Sequence, residues 1–137
     1  MAYLPLEELA RTCDIISLHC AVTPETREMI NADFINSMKP NALLVNCARG
    51  ALVDNEALRA ALIEGRIVAA LDTIEPEPTP ADHPLVALPE HARNRCVYSS
   101  HLGGSSGGSF ARAHLTMWEN ARRILSGERP VNVVNGI

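Results

Sequence analysis

The sequence predicts an α/β fold, a parallel β-sheet with flanking helices. Three observations predict it. Short, almost continuously apolar runs occur at residues 15–18, 42–45 and 67–71, the pattern of strands buried on both faces. Segments with apolar residues at helical spacing stand beside them. The two kinds alternate along the chain, as in a sheet whose parallel strands are joined by helical crossovers.

Each element has a local cause. Pro5 suits the first turn of a short helix carrying Leu6, Leu9 and Ala10, because its missing N–H has no intrahelical partner there. Ile15-Ile16-Ser17-Leu18 is the first strand, ending at His19, and Thr23-Pro24-Glu25-Thr26 is a turn. Asn31 caps a helix with Phe34 and Met38 that Pro40 stops. Ala42-Leu43-Leu44-Val45 is the second strand, ending at Asn46. Asp54 or Asn55 caps the next helix, which carries Ala57, Leu58, Ala61 and Leu62 and ends at Gly65. A third strand over residues 67–71 ends at Asp72. A Pro-rich loop then runs from Glu75 to about Pro89, and Cys96-Val97-Tyr98 is a fourth, weaker strand. The last helix opens near Gly104 and runs to Leu125, with Phe110, Ala113, Met117, Ala121, Ile124 and Leu125 in one stripe.

Composition sets the outer limits. With 137 residues, 47% apolar and 20% charged, the chain has the size and balance of one globular domain. Aromatics are 4%, so the core rests on Leu, Ile, Val and Ala. A net charge of −4 gives no reason to expect nucleic acid or an anionic membrane as partner. The apolar runs are far shorter than a membrane span. The first six residues lead straight into Glu7 and Glu8, which does not read as a signal peptide. Cys13, Cys20, Cys47 and Cys96 form no CxxC pair, so reduced thiols, no zinc site and a cytoplasmic location are expected.

Right-handed crossovers would place every strand's C-terminal end on one edge of the sheet, where ligands of such folds bind. The residues following the strands are His19, then 46–49, then 72–77, then 99–101. They bring two histidines, an arginine and several carboxylates to that edge.

At these loops the sequence resembles the D-isomer-specific 2-hydroxyacid dehydrogenases. The matching segments are Ser17-Leu18-His19-Cys20 with Thr23-Pro24-Glu25-Thr26, Met38-Lys39-Pro40-Asn41-Ala42, and Val45-Asn46-Cys47-Ala48-Arg49-Gly50-Ala51-Leu52-Val53-Asp54. Further on come Ala70-Leu71-Asp72 with Glu75-Pro76-Glu77-Pro78, Asp82-His83-Pro84-Leu85, His101-Leu102-Gly103-Gly104-Ser105, and the ending Gly127-Glu128-Arg129-Pro130-Val131-Asn132-Val133-Val134-Asn135. The chain departs from the family at Ala21, where Pro is usual, and at Thr73, where an apolar residue is usual. It departs again at Ser99-Ser100, where Thr-Pro is common, and by a few extra residues at 90–95. The resemblance implies a Rossmann-type NAD-binding domain, here residues 1–137 as its second half. The Gly-rich phosphate loop and the substrate domain are not in this sequence. NAD is the implied cofactor, with NADP open, and a homodimer is implied for the complete enzyme.

A 2-oxo acid offers a carboxylate beside a carbonyl. The planar guanidinium of Arg49 suits the carboxylate bidentately, and Gly50 lets backbone approach closely. His101 suits proton transfer to the carbonyl oxygen; alone, a histidine after a strand is more often a hydrogen-bonded structural group. By the family's spacing Glu77, rather than Glu75, pairs with His101 and holds its tautomer. Asp72 is a turn former on its own residues, and the resemblance has it contact the nicotinamide carboxamide. By the same carry-over His19, Cys20, Cys47, Ala48, Arg49, His101, Gly103 and Gly104 line the cofactor channel, and His83, His91 and His114 are non-catalytic. The substrate implied is a small 2-hydroxy or 2-oxo acid. Two alternatives stay open at this point: an NAD-sensing corepressor-like binding module, and a truncated product with no activity of its own.

Overall fold

The computed structural model describes residues 3–134; Met1, Ala2 and Asn135, which the sequence reading included, lie outside them. The chain forms two compact units, one ending at His101 and one starting at Leu102.

The first unit carries α1 (Leu6–Thr12), β1 (Ile15–Leu18), α2 (Ala32–Ser37), β2 (Leu43–Asn46), a 3₁₀ turn (Gly50–Leu52), α3 (Asn55–Ile63), β3 (Val68–Leu71), α4 (Glu90–Arg93) and β4 (Cys96–Tyr98). The strands pair in parallel in the order β1-β2-β3-β4. Leu18, Asn46, Leu71 and Tyr98 form the last rung across all four. The residues one step further, His19, Cys47, Asp72 and Ser99, therefore leave the sheet along one line.

A monotonic strand order with right-handed crossovers puts every connection on the same side of the sheet. Burial agrees: Ile16, Leu18, Leu44, Asn46, Ala69, Leu71 and Cys96 are buried, and their neighbours on the opposite face are not. Within this unit the helices cover one face of the sheet. Ile30, Ile35, Leu52, Leu58, Leu62, Leu85 and Leu88 fill the covered side. Each contributes roughly 1.5–3 kcal/mol of burial before conformational entropy is subtracted. Phe34 is the one aromatic ring in that cluster.

The helix starts follow cap chemistry. Asn31 Oδ1 accepts from Phe34 N at 3.0 Å. Asp54, not Asn55, caps α3, its Oδ1 accepting from Glu56 N and Ala57 N at 3.0 and 3.1 Å. Gly65, at φ +73°, follows the α3 C-cap. Pro5 is the N-cap of α1 and not its first helical residue. The extra residues near 90 fold into the single turn of α4, anchored by buried Ala92 and by Arg93 Nε donating to Leu88 O at 3.1 Å. Burial pushes the Cys96 thiol up from its ordinary pKa, and all four cysteines are free.

In the second unit α5 spans Gly107–Leu125. It starts three residues later than expected because Ser106 has a capping hydroxyl, which accepts from Ser109 N at 3.2 Å, whereas Gly104 has no side chain to cap with. Glu119 bridges Arg122 at 2.8 Å and Arg123 at 3.1 Å. The Arg122 guanidinium beside it holds its carboxyl down at about 2. Gly127, at φ +73°, follows the helix end. Phe110, Met117, Ile124 and Leu125 of the expected stripe are exposed.

Thr73, where the resembled family has an apolar residue, is 2% exposed, and its hydroxyl finds no hydrogen-bond partner among the described residues. Burying a lone hydroxyl costs energy that a methyl group does not. Thr73→Val is therefore expected to stabilise the protein by about 1 kcal/mol, lifting Tm by about 4 °C. A thermal melt showing no gain would mean that the hydroxyl has a partner in solution.

Candidate active site

The first strand–loop junction at the C-terminal edge carries His19, whose Nε2 lies 2.8 Å from Ser17 Oγ. The second is built by Asn46. Its side chain is fully buried, yet both ends are satisfied: Nδ2 donates to Arg49 O at 2.8 Å and Oδ1 accepts from Ala48 N at 3.0 Å. This amide closes the turn that presents Arg49. Arg49 is exposed; its Nη1 donates to Ala48 O at 2.6 Å, and it makes no ion pair among the described residues. His19, Cys20, Ala21, Val22, Cys47, Ala48 and Arg49 line one cavity of about 500 Å³.

The chain then turns through the 3₁₀ segment and is fastened by Glu28 N to Ala51 O, Ile30 N to Leu52 O and Asp54 N to Ile30 O at 2.8, 3.0 and 3.1 Å. Gly50 packs against the third junction. A Cβ placed there would meet Glu75 N at 2.2 Å and Ile74 C at 2.6 Å. The close backbone approach expected at Gly50 is thus an approach to the segment that carries Glu75 and Glu77.

Asp72 follows β3. Its Oδ1 accepts from Ser99 Oγ and from His101 N, the latter at 3.1 Å; Oδ2 has no partner among the described residues. Asp72 thereby ties the third junction to the fourth and holds the turn in which His101 takes φ +53°. A non-glycine residue pays a steric cost there, and the bond to Asp72 offsets part of it. Neither Ser99 nor the His101 backbone was marked by the sequence as a partner of Asp72.

His101 Nδ1 meets Glu77 Oε2 at 2.9 Å and Oε1 at 3.1 Å. Both side chains are close to half exposed. Glu75 lies instead 3.7 Å from Arg27 Nη1. Within the Glu-Pro-Glu-Pro run the structure thus pairs Glu77, and not Glu75, with His101. A carboxylate can only accept, so neutral His101 carries its proton on Nδ1 and turns the bare Nε2 outward.

A cavity of about 520 Å³ is bordered by Asp72, Ile74, Glu77, Val86, Tyr98 and His101 among others. A smaller one of about 180 Å³ is lined by Arg49, Gly50, Ala51, Ile74, Glu75 and Glu77. Neighbouring cavities share Arg49, Ile74 and Glu77 as lining residues, so His19, Arg49, Glu77 and His101 border one row of cavities. Tyr98 braces its far wall, its hydroxyl donating to Leu85 O, and burial raises its pKa. Gly103 and Gly104 belong to the second unit and precede α5. His91 and His114 lie outside the row; His114 Nδ1 contacts Phe110 O at 2.8 Å within α5. No cluster of His, Cys, Asp and Glu among the described residues could hold a metal ion, and no described helix is long and apolar enough to cross a membrane.

Comparison with known proteins shows the family. Residues 1–103 match the family described as D-isomer specific 2-hydroxyacid dehydrogenase, NAD binding domain. The chain is 42% identical over 131 residues to a D-3-phosphoglycerate dehydrogenase of Methanocaldococcus jannaschii, covering 95% of this chain and 24% of that protein. It is 40% identical over 134 residues to a glyoxylate reductase of Korarchaeum cryptofilum, covering 97% and 39%. The crystal structure of the TT0316 protein from Thermus thermophilus superposes with a TM-score of 0.84 at 42% identity, covering 96% of this chain and 40% of that one. The chain thus spans between 24% and 40% of the length of these relatives. It belongs to the D-isomer specific 2-hydroxyacid dehydrogenase family and matches that family's NAD-binding domain.

Proposed function

We propose that this chain is the catalytic half of a nucleotide-binding domain in an enzyme that interconverts a D-2-hydroxy acid and its 2-oxo acid. The observation that carries the reading is the Glu77–His101 pair at 2.9 Å, joined through one row of cavities to Arg49. The row offers an anion anchor and a proton carrier, the two things that reduction of a 2-oxo acid asks of side chains. The Gly-rich phosphate loop and the substrate domain would come from the rest of a longer protein, which we place as a cytoplasmic homodimer.

The donor set fits the nicotinamide end of NAD. Asp72 has Oδ2 without a partner among the described residues, at the sheet edge, an acceptor for a carboxamide N–H. His19, Cys20, Cys47 and Ala48 would line the channel beside it. When bound, the reduced nicotinamide supplies the hydride, which no side chain can.

The protein's own part is binding and proton handling. Arg49 pairs with the substrate carboxylate through its planar fork and draws charge from the adjacent carbonyl. His101, protonated, gives the Nε2 proton to the carbonyl oxygen during reduction, and neutral His101 takes it back during oxidation. Glu77 accepts from Nδ1 in both states, so the ring keeps one orientation through the cycle.

Arg49→Lys is expected to cost on the order of 2–4 kcal/mol of transition-state stabilisation, because the ammonium keeps the charge and loses the fork. The test is kcat/KM with a panel of 2-oxo acids and either NADH or NADPH, measured in the full-length protein. Near-parental kcat/KM in Arg49→Lys would show that another group anchors the carboxylate. Absence of turnover across the panel, with nucleotide still bound, would favour a binding module.

A further inference from the structure

His83 lies outside the row of side chains assigned above, yet it is 6% exposed and both ring nitrogens are engaged. Nδ1 meets Leu85 N at 3.2 Å. A backbone N–H can only donate, so Nδ1 is the bare acceptor and the ring proton sits on Nε2. That nitrogen lies 3.1 Å from Glu75 O and donates to it. Asn55, the first residue of α3, donates to the same carbonyl from Nδ2 at 3.0 Å. The 3.3 Å approach of Asn55 Nδ2 to His83 Nε2 is then the contact of two donors sharing one acceptor. Two residues beyond that carbonyl stands Glu77. Thr79 Oγ1 adds a further brace, donating to Pro76 O at 3.1 Å.

We propose that His83 and Asn55 are positioning residues for the proton-transfer pair: their two N–H groups fix the Glu75 carbonyl and so set the segment that presents Glu77 to His101. The proposal rests on reading Glu77–His101 as that pair. Its physical basis is reach. Glu77 is nearly half exposed, so its place depends strongly on the backbone it hangs from. That backbone has no strand or helix of its own between Leu71 and Glu90. A buried imidazole and a helix-borne amide on one carbonyl supply the fixed point that secondary structure does not.

Histidine tautomers give a direct readout through long-range ¹H–¹⁵N correlation at alkaline pH, where the rings are neutral. In the parent chain His101 should report the Nδ1–H form and His83 the Nε2–H form. In His83→Asn the side-chain oxygen can replace Nδ1 toward Leu85 N, and position 83 no longer reaches Glu75 O, which keeps Asn55 alone. In His83→Gln the longer amide restores a donor to that carbonyl. We expect His83→Asn to shift His101 towards the Nε2–H form and His83→Gln to keep the parental signature. Asn55→Ala, which leaves the core intact, should shift His101 in the same direction and decides the matter should His83→Asn not fold. An unchanged Nδ1–H signature of His101 in Asn55→Ala and in folded His83→Asn overturns the proposal. Glu77→Ala, which leaves Nδ1 no acceptor from position 77, separates the two layers. If it leaves the His101 tautomer unchanged, the Glu77–His101 reading itself fails; if it changes the tautomer and the other two variants do not, only the positioning role fails.

Discussion

Gly50→Ala is expected to destabilise the protein by about 3 kcal/mol, more than most single-methyl additions. The reason is what the new methyl would meet. The colliding atoms are Glu75 N at 2.2 Å and Ile74 C at 2.6 Å, both backbone, so no side chain can swing aside. Either the 3₁₀ turn after Arg49 or the start of the Glu75–Pro76–Glu77 segment must move. The first is held by two backbone bonds, from residues 28 and 30; the second by Asn55 and His83. Displacement of either changes the small cavity that Arg49 and Glu77 both line. Thermal melts of the variant should show Tm lowered by about 10 °C, and kcat/KM in the full-length protein should fall further than stability alone explains. Gly103→Ala is the control: a Cβ there meets nothing within 4 Å, and its Tm should match the parent. A Gly50→Ala melt at the parental temperature would mean that the two segments can separate without penalty.

How far the sequence disclosed this arrangement depended on whether a residue's partner was local. The four strands were legible because each is a short apolar run ended by a polar residue. The caps Asn31 and Asp54 were legible because their acceptors serve N–H groups two or three residues on. Arg49, Glu77 and His101 stood out through motif spacing, and the placing of Glu77 opposite His101 followed that spacing. The bonds that were not foreseen join side chains to distant backbone or to distant side chains. Ser99 reaches Asp72 across 27 positions, through a strand register that no pattern of residues reveals. His83 and Asn55 recognise a carbonyl, which has no identity in a sequence; His83 was accordingly set aside. Which face the first unit's own crossovers cover was hidden for a related reason. Apolar strands show that both faces tolerate burial, while strand order decides which face the crossovers cover.

Glu77→Gln is expected to lower kcat/KM for reduction at neutral pH on the order of tenfold, and to do so in a way that Glu75→Gln does not. Reduction needs His101 protonated, and oxidation needs it neutral. The Glu77 carboxylate accepts from Nδ1 at 2.9 Å, so it orients the ring and faces it with an opposite charge when the proton is on Nε2. The amide of Gln keeps an acceptor and loses that charge, so it holds the charged ring less well in the transition state. Both directions pass through the same transition state, so kcat/KM should fall in reduction and in oxidation alike. Glu75 stands 3.7 Å from Arg27 and has no bond to His101, so Glu75→Gln should keep the parental rates. Rates in both directions for the two variants test the assignment. A loss with Glu75→Gln and none with Glu77→Gln would exchange their roles, and a loss with neither would remove the pair from proton transfer altogether.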